Sequence, residues 1–256
     1  DSASAGFGDG AENQTDSPDS SFLAFADAMS RATGNADGAW YVQQIGGGDE
    51  DAVARASSLA WHRLRYYGKS EPVAPAASFS LPQARAFRDI GLAMLHTDLA
   101  DAESNLMVAF RSSPYGSTNH GHASQNEFNL LFGGSPVFHN SGYYIAYGDD
   151  HFNGWYKHTR GHNAMLIDGK GQKFGTTEGY GWIPRFLNGD TVAYCVGDAS
   201  HAYPEDAGLK KWRRHVALLR PSILVVYDEF EADHAADWDW LLHSGHAIRQ
   251  EGDAIT

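Results

Sequence analysis

The sequence predicts a mainly β chain, a short helical segment followed by an antiparallel β-sandwich. Three observations lead there. Apolar residues recur at helical spacing only near the start, at Phe22, Leu23, Phe25, Ala26 and Met29, and again at Val53, Ala56, Ala60, Leu64 and Tyr67. Three prolines then interrupt the stretch Ser70–Pro82. Beyond it, short runs rich in β-branched and aromatic residues alternate with Gly, Asn and Asp, the texture of strands and turns.

In chain order, residues 1–20 are rich in Gly, Ser, Asp and Asn and read as a loop. A helix is predicted over Ser20–Ala32 with Gly34 as its stop, and a second over Asp51–Tyr67, closed by Gly68. Strands are predicted at Ile90–His96, Leu106–Arg111, Glu127–Phe132, Val137–Phe138, Tyr143–Tyr147, Ala164–Ile167, Thr191–Val196, His215–Leu219, Ile223–Tyr227 and Asp237–His243. Gly133-Gly134 and Asp168-Gly169 carry the chemistry of tight hairpin turns. The expected domains are 1–75, helical, and 84–256, the sandwich. The last strand pattern runs close to Thr256, so the sandwich is expected to be incomplete at that end.

Composition narrows the function. With 42% hydrophobic residues the chain can build a core, and no apolar run approaches the ~20 residues of a membrane span. The first residues show no signal peptide, so either a leader has been removed or the chain begins internally. Cys195 is the single cysteine, which excludes an intrachain disulfide and a cysteine-based zinc site. A formal net charge of −13 argues against nucleic acid as a partner. It also opposes an anionic polysaccharide unless a local basic cluster overrides it, and Lys157, His158, Arg160 and His162 form such a cluster in the sequence.

The histidines are informative where they cluster. His120 and His122 form an H-x-H pair in a Gly/Ser/Asn-rich stretch leading into the strand at Glu127, and on a strand residues two apart share a face. Such a pair can bind a metal or divide metal binding from proton chemistry; a polar hairpin end with exposed histidines explains the spacing equally well. His158, Arg160 and His162 precede the strand at Ala164, and His139-Asn140 lies between the clusters. If the three strand ends are neighbours, they make a nitrogen and oxygen site of the kind zinc accepts.

Taken in order, Phe110-Arg-Ser-Ser-Pro-Tyr-Gly-Ser117, His120-Gly-His-Ala-Ser-Gln-Asn126, Asn140-Ser-Gly-Tyr-Tyr144 and Gly161-His-Asn-Ala-Met-Leu-Ile-Asp-Gly-Lys-Gly-Gln172 resemble the core signature of the heparinase II/III-like polysaccharide lyases. Val196-Gly-Asp-Ala-Ser-His-Ala-Tyr203, Arg214-His-Val216, Val225-Val-Tyr-Asp-Glu229 and Trp240-Leu-Leu-His243 continue the resemblance, which covers roughly Phe87 to His243. It implies a two-part enzyme, with residues 1–75 as the tail of an α/α toroid whose earlier helices would be a partner of this chain. It implies β-elimination on an acidic, uronate-containing polysaccharide, such as heparan sulfate or an alginate-like chain. It also implies a secreted or periplasmic bacterial location and a zinc ion, with a homodimer left open.

Carried over by position, the zinc ligands are His122, Asn140 and His162. Asn140 stands where relatives carry an acid, and Ser124 where they often carry Asp. The catalytic candidates are His120, Tyr147 and Tyr156, with Arg160, Asn119 and Gln125 as substrate contacts. Only part of the active site is then expected in this chain. Two other readings compete. A non-catalytic carbohydrate-binding sandwich would use the seven Trp and twelve Tyr for sugar stacking but needs no H-x-H pair. A metallohydrolase needs a carboxylate base beside the histidines, and the nearest, Glu127, is expected to point into a strand.

Overall fold

The computed structural model of the chain describes residue 7 and residues 20–45, 73–74, 81–141, 148–252 and 254–255. The chain forms two compact units, one over residues 16–81 and the other comprising the remainder.

The smaller unit contains two helices, α1 (Ser20–Thr33) and α2 (Ala36–Ile45), which pack on each other. Helix α1 forms where the apolar stripe predicts it. Gly34, at φ 68°, lets the chain leave the helix in the left-handed region. Asn35 then starts α2 by accepting the Gly38 N–H on its side-chain oxygen at 2.9 Å. Helix α2 escapes the periodicity because its ten residues offer only a short apolar face. The helix predicted at Asp51–Tyr67 and the strand at Tyr143–Tyr147 lie outside the described residues.

The larger unit is an antiparallel β-sandwich. One sheet is a five-stranded meander of β1 (Ala84–Phe87), β2 (Leu92–His96), β3 (Leu106–Arg111), β4 (Glu127–Phe132) and β5 (Ser135–Phe138). The other contains β7 (Trp182–Asn188), β8 (Val192–Asp198), β9 (Leu209–Leu219) and β10 (Ile223–Ala232), in the order β10-β9-β8-β7. A short ribbon pairs β6 (Met165–Ile167) with β11 (Trp238–Trp240), and a last hairpin joins β12 (Gln250–Glu251) to β13 (Ala254–Ile255). Among the described residues no helix is long and apolar enough to cross a membrane.

The core lies between the two main sheets. Leu95, Val108, Phe110, Phe128 and Leu130 from one face meet Ile183, Cys195, Val216 and Leu218 from the other. Each of these large side chains contributes roughly 1.5–3 kcal/mol by leaving water. Gly133 and Gly134, at φ 55° and 74°, close the β4–β5 hairpin as a two-residue turn that only positive φ permits. Asp168 and Gly169 do the same after β6, with mutual backbone bonds between Ile167 and Lys170.

Strand β7 contains Pro184, which hides it from a pattern search. It is an edge strand whose pairing breaks register between Trp182 and Arg185, and an edge tolerates the missing donor. Gly197 in β8 shows how tightly the layers meet. A Cβ there would overlap Asn126 Oδ1 and the Phe110 ring. Gly197→Ala is expected to cost about 1–3 kcal/mol by overpacking, read as a lower denaturant midpoint at unchanged slope.

Candidate functional site

The H-x-H pair does not lie on a strand. It sits in the loop between β3 and β4, where the rule that residues two apart share a face does not apply. Asn119, at φ 54°, turns the backbone, leaving His120 exposed and His122 fully buried. Buried side chains fix the loop from beneath. Arg111 donates to Gly116 O at 3.0 Å and Ser124 Oγ at 3.2 Å. Gln125 accepts from Ser113 N at 2.6 Å and donates to Gly116 O and Gly179 O at 3.2 Å each. Gln172 pairs with both backbone groups of Gln125, at 2.6 and 2.9 Å.

The second segment arrives through a π-helical turn, Phe152–Tyr156, and a 3₁₀ turn, Thr159–Gly161. These deliver His162 in extended conformation just ahead of β6. His162 Nε2 stands 3.3 Å from His122 Nδ1 and 2.9 Å from Tyr156 O. The Tyr156 ring, itself buried, meets His122 edge-on at 4.6 Å. On the other side of His162, Nδ1 lies 2.7 Å from Glu127 Oε1, and both side chains are fully buried. Burial opposes charge on Glu127, yet the carboxyl is held below its ordinary range because His162, the Ser124 hydroxyl and Arg111 outweigh that penalty.

Two nitrogens bound to one tetrahedral zinc at about 2.0–2.1 Å stand about 3.3 Å apart. The His122–His162 spacing therefore suits a ring-to-ring hydrogen bond and two vertices of a metal polyhedron alike, and Tyr156 O, 2.9 Å from His162 Nε2, competes for that nitrogen as a hydrogen-bond acceptor. Asn140 is fully buried, and the bond from Ser141 N to Gly161 O, 2.7 Å, runs its segment alongside the His162 turn. Among the described residues no three His, Cys, Asp or Glu side chains are grouped to hold a metal.

Comparison with known proteins places this arrangement in a family. The model of the C-terminal domain of heparinase II/III-like proteins matches residues 80–255. The chain belongs to the heparinase II/III-like family. No curated protein matches it. Among solved structures, a heparinase III superposes with a TM-score of 0.65 at 15% identity, covering 96% of this chain and 32% of its own. A second heparinase III gives 0.62 at 17%, covering 99% and 35%. The heparan sulfate lyase HepC from Pedobacter heparinus gives 0.60 at 16%, covering 91% and 30%. At these identities the likeness shows the fold, and the chain spans about a third of the length of those proteins.

Within this heparinase-like sandwich the candidate residues separate into two groups. His120, Asn119 and Arg160 face outward. Arg160 borders an open groove of about 250 Å³ with Gly154, His158, Thr159, Gly171 and Gln172, and its guanidinium reaches Gly169 O at 3.4 Å. The histidine pair does not line that groove. Tyr156 and Gln125 are fully buried among the described residues, where the Tyr156 ring packs on His122 and Gln125 braces the loop. Tyr147 lies outside the described residues.

The basic cluster read from the sequence disperses. Lys157 is buried over the Phe152 ring and donates to Asn119 O at 2.6 Å, His162 turns inward, and Arg160 is the fully outward member. The tight helical turns scatter the side chains that a linear reading places together. Sequence reasoning missed Arg111 as the loop's anchor and Glu127 as the partner of His162. The available signal was a carboxylate five residues after the second histidine of the H-x-H pair, in a chain lacking acids at 124 and 140.

Proposed function

We propose that this chain is the sandwich part of a secreted or periplasmic polysaccharide lyase that cleaves a uronate-containing chain, of heparan sulfate or alginate type, by β-elimination. One observation carries the reading. The family's H-x-H signature is divided, with His122 locked inward against His162 and His120 held outward two residues away on a braced loop.

In such a reaction the C5 proton leaves to a base, the C4–O bond breaks as the C4–C5 double bond forms, and the departing oxygen takes a proton. An exposed imidazole at His120 can neutralise the uronate carboxylate or move one of these protons. Arg160 can hold a carboxylate through its guanidinium fork. His122 Nδ1 and His162 Nε2, with the Asn140 amide as a neutral third donor, would hold a zinc ion. When bound, it would supply positive charge beneath the loop and fix the loop's position.

The test gives the complete protein a panel of heparan sulfate, alginate and neutral polysaccharides and follows absorbance of the unsaturated uronate. Rising absorbance with one acidic polymer is the expected result. Binding without any new absorbance would replace this reading with a carbohydrate-binding sandwich.

A further inference from the structure

The open groove of about 250 Å³ beside the π-helical turn combines a free cation, an aromatic wall and a fixed floor. The Arg160 guanidinium faces outward, reaches Gly169 O at 3.4 Å and meets no carboxylate among the described residues, in a chain whose 32 acidic side chains outnumber 19 basic ones. His158 forms part of the wall. Its Nε2 donates to Asn153 O at 2.7 Å, and its ring packs on Phe174 at 4.3 Å. Phe174 is 44% exposed, which carries the wall outward as an open apolar face. The floor is Thr159, whose Oγ1 donates to Ala123 O and accepts from Gln172 N, both at 2.8 Å. Gly171 lies against it so closely that a Cβ would stand 2.9 Å from that hydroxyl. We propose that this groove is a sugar subsite, holding one acidic ring of the polymer with its anionic group on Arg160 and its C–H face against His158 and Phe174.

The inference rests on the reading of the substrate as an acidic polysaccharide and assigns Arg160 a different sugar from the one over His120. The groove does not include His120, yet its backbone runs beside that loop. Ala123 N donates to Lys157 O at 2.9 Å, Thr159 grips Ala123 O, and Lys157 Nζ donates to Asn119 O at 2.6 Å. A polymer lying over His120 therefore meets the groove at a neighbouring ring. A bare anion needs only the guanidinium, whose two parallel N–H donors suit a carboxylate or a sulfate. The aromatic wall and the space left by Gly154 and Gly171 add what a pyranose needs, a concave site with an apolar side and a few placed polar groups.

The test is calorimetric titration of the 256-residue chain with tetrasaccharides of alginate, which carry carboxylates alone, and of heparan sulfate, with cellotetraose as the neutral control. Arg160→Gln removes the charge at an exposed position, and Gly154→Phe fills the groove. Gly154 suits this because a Cβ there would meet no atom within 4 Å and its backbone lies outside the left-handed region. Arg160→Gln should weaken binding of an acidic tetrasaccharide about tenfold, between the worth of an exposed ion pair and that of a bidentate charged one. Gly154→Phe should weaken it at least as much. Loss with Arg160→Gln alone would reduce the groove to a surface anion contact and overturn the proposal. Unchanged binding in both variants, equal affinity for cellotetraose, or no binding by the parent would overturn it too. Unsaturated-product formation by the complete protein is measured separately. Product with unresponsive variants leaves the lyase reading standing and removes the groove. Binding that responds to both variants, with no product, keeps the groove and removes the lyase reading.

Discussion

Asp228→Asn is expected to destabilise the sandwich by about 3–5 kcal/mol, because it strands a buried guanidinium. Strand β9 points Trp212, Arg214, Val216 and Leu218 inward, so Arg214 occupies a core position and is 0% exposed. Asp228 faces it directly across the β9–β10 pairing. The carboxylate accepts from Arg214 Nε at 2.9 Å and Nη2 at 3.0 Å, and from the indoles of Trp212 at 2.8 Å and Trp240 at 2.9 Å. The rings of Phe128, Trp212 and Trp240 surround the guanidinium at 5.3–5.6 Å. An amide at 228 keeps the shape but loses the charge and turns one acceptor into a donor. The measurement is the denaturant midpoint of single and double variants. Arg214→Met with Asp228→Leu should recover much of the loss, since replacing both charges leaves neither unpaired. Equal losses for single and double variants would mean that packing volume, and not charge pairing, holds this position.

The same pair ties stability to the site. Arg214 Nη1 donates to Asn126 O at 2.9 Å and Asn163 O at 2.7 Å, the residues beside Glu127 and His162. Asn163 in turn accepts the His243 N–H at 2.7 Å. The loops that carry the candidate chemistry are thus fastened to the sandwich by one buried cation.

Much of this architecture was legible in the sequence where a short apolar and aromatic run is bounded by turn residues. Leu106–Arg111 and Glu127–Phe132 fall where such runs put them, both largely buried on both faces, and paired glycines mark the hairpin that follows. The pattern fails at edges. Strand β1 follows a proline-rich stretch, and β7 carries Pro184, so neither shows an uninterrupted run. The site was legible in its residue types and less so in its directions. His122 and His162 do approach each other, because each is the inward residue of a segment that ends in a strand. The outward turn of His120 depends on the left-handed backbone at Asn119, which asparagine permits without announcing it. Glu127 was hidden because a carboxylate at a strand's first residue ordinarily faces water, and its burial follows from long-range neighbours, His162 and Arg111.

His120→Ala is expected to lower turnover of the complete protein by about 10²–10⁴-fold, the usual worth of an acid–base group. It should leave the unfolding free energy within about ±0.5 kcal/mol, as for an exposed loop residue. The asymmetry follows from placement. The loop around His120 is held by Arg111, Gln125 and Lys157, none of which uses the His120 ring in the bonds that brace it. Truncating the imidazole therefore leaves the brace intact and removes an ionisable group from the one exposed point of the H-x-H signature. His122→Ala provides the contrast. That ring is fully buried between Tyr156 and His162, so its loss opens a cavity and should depress the thermal midpoint together with activity. Initial rates of unsaturated-product formation, set beside thermal midpoints for both variants, distinguish the cases. A His120→Ala protein with normal rates would remove His120 from the chemistry and leave Arg160, with groups outside the described residues, to carry it. Loss of rate at an unchanged midpoint would place the reacting uronate over this loop, and the affinity of parent and variant for carboxylate-reduced polymer, which binds without eliminating, set beside KM for the native polymer, would then show whether the imidazole binds the carboxylate or moves the proton.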